Sequence, residues 1–191
     1  MPKLSIVYHS GYGHTKKQAE AVLQGAAQIA GVATEFIALD AEGQLPEGAW
    51  DVLAASDGII FGSPTYMGGP SWQFKRFADA SSKVWFGQGW KDKVAAGFTN
   101  SASMNGDKLS TLQYFVALAM QHGMVWVGTG MMPSNKKEAQ RNDVNFLASF
   151  VGAMAQSPSD ASPDEGPLPG DLETARQFGA RVAHYVKTTR G

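Results

Sequence analysis

The chain has 191 residues, 43% of them hydrophobic and 17% charged, a balance that fits one globular domain and excludes extended disorder. Its 16 basic and 17 acidic side chains leave a formal net charge of −1, and no basic run is longer than a pair such as Lys136-Lys137, so a nucleic-acid binder's electrostatic footprint is missing. Cysteine is absent, which removes disulfides, thiolate catalysis and cysteine-ligated metals and leaves any redox work to a cofactor.

In chain order, Met1-Pro2-Lys3 leads into a short apolar run with Leu4, Ile6 and Tyr8. The run is too short for a signal segment, and the reading is a cytoplasmic protein. No apolar stretch approaches the roughly 20 residues of a membrane helix. From Thr15 the period changes to Ala19, Val22, Leu23, Ala26 and Ala30, which predicts a strand, a turn and an amphipathic helix. A second strand is expected over residues 32–39, a short helix over 46–55 and a third strand over 58–62. Pro70 is expected to open a helix that turns Trp72, Phe74, Phe77 and Ala78 to the core. A fourth strand (94–99), a helix (109–121) and a fifth strand (124–127) follow. Residues 128–141 are polar and turn-rich, and an apolar run returns over 146–155, so the last strand is expected to be interrupted by an insertion and then to resume. Residues 157–170 hold four prolines and read as a surface loop; residues 171–187 form the closing helix. Strands alternating with helices predict a doubly wound α/β fold of five parallel strands in a single domain over residues 1–191.

Ligands of open parallel sheets bind beyond the carboxyl ends of the strands, and three turns there carry candidate chemistry. Ser10-Gly11-Tyr12-Gly13-His14-Thr15 joins a strand to a helix and offers hydroxyls and helix N-terminal amides suited to a phosphate monoester. It lacks the Gly-Lys-Ser/Thr of a Walker loop and the G-x-G-x-x-G of a dinucleotide fold; a plain strand-to-helix turn with Thr15 near the cap is the bland alternative. Gly62-Ser63-Pro64-Thr65-Tyr66-Met67-Gly68-Gly69-Pro70 combines restricted and permissive backbone, and its Tyr66-Met67 pair either meets a ligand or covers the core. Asn100-Ser101-Ala102-Ser103-Met104-Asn105-Gly106 is small and rich in donors, suited to the polar edge of a heterocycle or simply solvated. His9, His14 and His184 have no metal-ligand spacing.

The combination of these turns, in residues 6–19 (IVYHSGYGHTKKQA), 60–79 (IFGSPTYMGGPSWQFKRFAD) and 118–127 (LAMQHGMVWV), resembles the flavodoxin-like fold and, within it, the WrbA-type NAD(P)H:quinone oxidoreductases and related NADPH-dependent FMN reductases. The resemblance implies strand order 2-1-3-4-5 and FMN as cofactor, with NAD(P)H as electron donor and a quinone as acceptor. It assigns Ser10, Gly11, Tyr12, Gly13, His14 and Thr15 to the FMN phosphate. Pro64, Thr65, Tyr66, Met67 and Gly68 go to the isoalloxazine, and Asn100, Ser101, Ala102, Ser103, Asn105 and Gly106 to the ring edge. His122 is assigned to the border of the flavin pocket, and Trp85 to the substrate side, often across a subunit boundary, so that Tyr66, Trp85 and His122 make the substrate pocket of a homodimer or homotetramer. The family often has Arg where Tyr66 stands. Read without the resemblance, His122 is a helix C-terminal histidine that favours the dipole.

Four functions compete. A two-electron NAD(P)H:quinone oxidoreductase leads, with ping-pong turnover and the reactivity supplied by FMN. A flavodoxin-type electron carrier, which docks partners by an acidic face, is disfavoured by the net charge of −1. A phospho-receiver domain needs acidic residues where His9-Ser10 and Gly62-Ser63 stand. A non-catalytic FMN-binding protein is the remaining alternative.

Overall fold

The structure, a computed structural model, describes residues 1–190. β1 (Lys3–Tyr8) is buried on both faces beyond its first residue, the near-continuous apolar pattern of a central parallel strand. It is followed by α1 (His14–Ala27), β2 (Ala33–Ala38), α2 (Ala49–Ala54), β3 (Gly58–Tyr66), the two-residue β4 (Gly69–Pro70), α3 (Trp72–Ala80) and α4 (Ser82–Phe86). Then come β5 (Val94–Ser101), α5 (Lys108–Gln121), β6 (Val125–Trp126), β7 (Ala153–Gln156) and α6 (Pro169–Arg190). The sheet runs β2-β1-β3-β5-β6, with β4 antiparallel to β3 and β7 beside β5. With the small β4 set aside, this is the expected 2-1-3-4-5 order of a flavodoxin-like fold. The edge strand is interrupted as the sequence suggested: β6 pairs with the start of β5 through Val94↔Val125, β7 pairs with its end through Phe98↔Ala153, and residues 127–152 make the excursion.

Helices cover both faces of the sheet. Leu4, Ile6 and Ile60 meet Val22 of α1 and Phe178 and Val182 of α6 on one side; Val7, Ile59 and Phe61 meet Phe74, Phe77, Trp90 and Phe115 on the other. α1 and α6 approach backbone to backbone, because a methyl at Gly25 would collide with the Arg176 carbonyl and one at Gly179 with the Val22 carbonyl. Among the described residues no helix is long and apolar enough to cross a membrane, and no three acidic or histidine side chains group as a metal site.

Several local expectations are corrected. α3 starts at Trp72, not Pro70: Ser71 caps it by accepting from the Phe74 amide at 3.3 Å, while Pro70 pairs with Thr65 in β4. Trp72 is 56% exposed and not in the core. β3 continues through Gly62, which looked like a stop but lies under the Phe98 ring, where a side chain would collide.

Candidate functional site

A cleft of about 600 Å³ opens at the carboxyl ends of β1, β3 and β5, inside the roughly 300–1,000 Å³ range of small-molecule sites. Its walls come from all three turns. Tyr12, His14 and Thr15 line it from the first, Pro64, Thr65 and Tyr66 from the second, and Asn100, Ser101 and Ala102 from the third.

The first turn is built around Ser10. Its Oγ accepts from the amides of Gly13 and Lys16, each at 3.1 Å, and so ties the loop to the opening of α1. The first backbone bond of the helix is made by Lys17 to the Gly13 carbonyl, so the amides before it have no partner within the helix; Ser10 takes those of Gly13 and Lys16, and this end of the helix is positive. Two glycines make the loop geometrically possible. A Cβ on Gly11 would sit 2.6 Å from the Tyr66 hydroxyl, and Gly13 has φ +92 with its Cβ position 2.7 Å from Pro163. Tyr12 and Tyr66 meet edge to face with ring centroids 6.3 Å apart, forming an aromatic wall beside the loop. Burial, with the Tyr12 phenol nearby, raises the pKa of Tyr66, so its hydroxyl stays protonated.

The floor is polar and buried. The Thr65 hydroxyl shares hydrogen bonds with those of Thr99 (2.8 Å) and Thr111 (2.7 Å), which fixes its side chain beneath the cleft that Thr65 lines. Below, His9 Nδ1 bonds the Ser71 hydroxyl at 2.9 Å, and Ser71 is joined to Ser63. Desolvation lowers the pKa of His9, which keeps its ring neutral at this junction. Lys108, only 1% exposed, holds the third turn from beneath. Its Nζ donates to Ser101 Oγ and to the carbonyls of Ser103 and Met104, each at 2.8 Å, and desolvation brings its pKa down to about 8.

Not every assigned residue reaches the cleft. Met67 and Gly68 form the two-residue tip of the β3-β4 hairpin, with φ 46 and 79, and project into solvent; such turns require positive φ at both central positions. Ser103, Asn105 and Gly106 are not among the residues that line it: Lys108 holds the Ser103 carbonyl from beneath, and Asn105 borders a shallow groove with Leu109 and Phe146. His122 and Trp85 lie elsewhere in the chain. They share a separate depression with Phe86, Lys91 and Met120. α5 carries the chain from the carboxyl end of β5 back to its amino end, and His122 is the C-cap of that helix. Eight residues of β5, at about 3.3 Å each, put on the order of 20 Å between this depression and the cleft. His122 Nε2 pairs with the Ser81 hydroxyl at 2.9 Å, its ring lies 4.4 Å from that of Trp90, and burial lowers its pKa. Within one chain, Tyr66 is therefore not joined by Trp85 or His122.

The sequence reading missed one wall. Ser157, Pro158, Ser159, Ala161 and Pro163 line the cleft, and the segment is fixed in place. Ser157 donates to Asn100 Oδ1 at 3.0 Å, and His14 Nδ1 donates to the Gly166 carbonyl at 2.9 Å. The signal was available, since this proline-rich segment follows a resumed parallel strand and so belongs at the same carboxyl edge as the other three turns.

FMN fits these residues. The glycine-bearing turn, which Tyr66 and Pro163 approach closely, opens α1 with the positive helix end that suits a phosphate, the paired tyrosines give a planar ring a wall, and Asn100, Ser101 and Ala102 supply a polar edge.

Comparison with known proteins agrees with this geometry. Residues 8–139 match the model of the family described as NADPH-dependent FMN reductase. The chain is 50% identical over 183 residues to Flavodoxin FldP of Pseudomonas aeruginosa (strain UCBPP-PA14), covering 96% of each. It is 33% identical to an NAD(P)H dehydrogenase (quinone) of Geotalea uraniireducens (strain Rf4), covering 95% of this chain and 96% of that one. Among solved structures it is similar to a flavodoxin, WrbA-like protein from Agrobacterium tumefaciens, with 51% identity, a TM-score of 0.79, and 98% and 99% of the two chains covered. The chain belongs to the NADPH-dependent FMN reductase family, and is a flavin-binding, flavodoxin- and WrbA-like protein.

Proposed function

We propose that the protein is a flavodoxin-type redox carrier that holds FMN in the cleft and exchanges electrons with partner proteins. The observation that carries this reading is that one chain supplies a complete cofactor cleft while Trp85 and His122 lie at the far end of the sheet. The 50% identity to a relative named flavodoxin supports it further. Ser10, Gly13 and Thr15 hold the phosphate, Tyr12 and Tyr66 flank the ring, Asn100 to Ala102 bond its polar edge, and the segment from Ser157 to Pro163 shields it from water. FMN supplies both one- and two-electron chemistry at that position. Exposed Asp160, Asp164 and Glu165 on the shielding segment give a partner an acidic rim, although Lys17 pairs with Asp164 at 3.0 Å.

A second reading is favoured by one specific observation. Trp85, Phe86 and Met120 are exposed by 47%, 86% and 50% around the depression that contains His122, a cluster of exposed apolar side chains beside a concave surface. A second copy that seats this depression over the cleft makes a quinone pocket between subunits, as a homodimer or homotetramer, with NAD(P)H as donor. Relatives named NAD(P)H dehydrogenase (quinone), 30% and 33% identical, support this reading.

The FMN-loaded protein separates the two. A carrier sediments as a monomer at micromolar concentration, keeps the two one-electron potentials of its flavin well apart, and oxidises no NAD(P)H with benzoquinone. A quinone reductase assembles, turns over with ping-pong kinetics, and loses turnover but not FMN affinity in Trp85→Ala. Quinone-dependent NAD(P)H oxidation by wild type refutes the carrier reading.

A further inference from the structure

Lys108 occupies a position that its residue type opposes. It is the first residue of α5, where a cation faces the positive end of the helix, and it is 1% exposed, which lysine tolerates only when fully partnered. All three of its hydrogen bonds go to the end of β5 and the turn that follows it, to Ser101 Oγ and the carbonyls of Ser103 and Met104. Ser101 itself lines the cleft, so the ammonium lies one hydroxyl group behind the wall that meets the ring edge.

The surroundings do not neutralise this charge. Asp171 of α6 and Arg141 of the excursion face Lys108 with opposite effects on it, and they are bonded to each other. Arg141 donates from Nη1 at 2.8 Å and from Nη2 at 2.6 Å to the two Asp171 oxygens. The neighbouring Asp107 is exposed. The Asp171 carboxylate also accepts from the Gln156 amide at 2.9 Å, and the Gln156 side chain donates to the Ala102 carbonyl at 2.7 Å. Buried Lys108 and Asp171 and the 21% exposed Arg141 thus lie beneath Ser101 and Ala102 as a frame of two cations and one anion, with one positive charge left over.

We propose that Lys108 is a positioning residue that sets the reduction potential of the bound flavin, by clamping the wall at the ring edge and presenting an uncompensated positive charge behind it. The inference rests on FMN occupying the cleft. Reduction by two electrons from a donor and one proton from solvent leaves one added negative charge on the ring system. A fixed cation behind the wall favours that reduced form over the neutral oxidised one. A purely structural clamp favours both equally. The geometry therefore predicts a difference between oxidised and reduced affinities and not merely a tighter site.

The test is a reductive titration with dithionite and a reference dye, alongside fluorescence titration with oxidised FMN, for wild type, Lys108→Met and Lys108→Arg. In Lys108→Met the ratio of reduced to oxidised affinity falls at least tenfold, which lowers the two-electron potential by about 30 mV; Lys108→Arg restores it. Wild type gives a second readout that needs no variant. Lys108 carries its proton below about pH 8 in the flavin-free protein, so the advantage over free FMN is full there and shrinks as pH rises, whereas Lys108→Arg keeps it. Unchanged potential in an FMN-loaded Lys108→Met, or a wild-type advantage that is flat across pH 7 to about 10, overturns the proposal. Failure of wild type to bind FMN refutes the cofactor reading instead.

Discussion

Replacing Ser10 by alanine tests the phosphate turn directly. The Ser10 hydroxyl accepts from the Gly13 and Lys16 amides at 3.1 Å each, and removing it frees two donors at the start of α1. A neutral hydrogen bond contributes about 0.5–1.5 kcal/mol net and one to a charged group about 1.5–3 kcal/mol. The lone pairs of the Ser10 hydroxyl are taken by those amides, so its proton is the group left to donate to a phosphate in the turn; loss of that contact is of the second kind, and FMN affinity falls roughly 10- to 150-fold. Riboflavin has the same ring and no phosphate, and its affinity changes less than about threefold, since the aromatic wall of Tyr12 and Tyr66 is untouched. Flavin fluorescence titration of both ligands against wild type, Ser10→Ala and Ser10→Ala/Thr15→Val measures this, and thermal melting checks that the variants fold. Equal losses for FMN and riboflavin refute the reasoning, because the turn would then be shaping the whole cleft and not binding a phosphate.

Three further outcomes follow from contacts elsewhere in the site. His14→Ala removes the donor to the Gly166 carbonyl, and loss of about 1 kcal/mol from that tether speeds FMN release roughly fivefold in a stopped-flow displacement; an unchanged rate shows that the proline-rich segment is held without it. Asp171→Ala strands Arg141, which is 21% exposed, and removes the acceptor of the Gln156 amide, so urea unfolding loses about 3 kcal/mol, and a loss below about 1 kcal/mol contradicts the frame. His9 and His122 both have pKa values lowered by desolvation. The unfolded chain therefore binds more protons as pH falls below about 6.5, and stability is full above that value and declines towards acid until the folded rings protonate. Flat urea midpoints between pH 7 and 5 rule this out.

The fold was legible because its signals are local and repeated. Each strand-turn-helix unit showed a change of period, and even the broken edge strand was readable from the return of apolar residues after the polar stretch. What stayed hidden depends on contacts distant in sequence. Trp72 fits a core pattern, yet it is the first residue of α3, directly after the Ser71 cap, and lies on the solvent side of a first turn whose Phe74 is the residue that enters the core. Met67 looks like a ring contact, but the Thr65↔Pro70 pairing makes it the tip of a hairpin. Lys108 gave no sign of itself, since a lysine at a helix start reads as a solvated charge until the loop folding over it is known.

Net charge is a weak guide to the functional ranking for a related reason. A total of −1 is a sum over the whole surface, whereas a docking partner feels the field within about a Debye length, ~8–10 Å at physiological salt. Near the cleft the relevant groups are Asp160, Asp164 and Glu165 on the shielding segment, offset by Lys17 on α1, while the positive frame under Ser101 acts on the cofactor and not on a partner. The two fields are separable. Added salt screens the exposed rim and slows electron exchange with a basic partner, but leaves the potential set by Lys108 almost unchanged, because buried charges are screened far less. The choice between carrier and quinone reductase is likewise not written in any one cleft residue. Tyr66 stands at one end of the sheet and Trp85 with His122 at the other, so only a second chain brings them onto the same ring, and the question of activity becomes one of assembly.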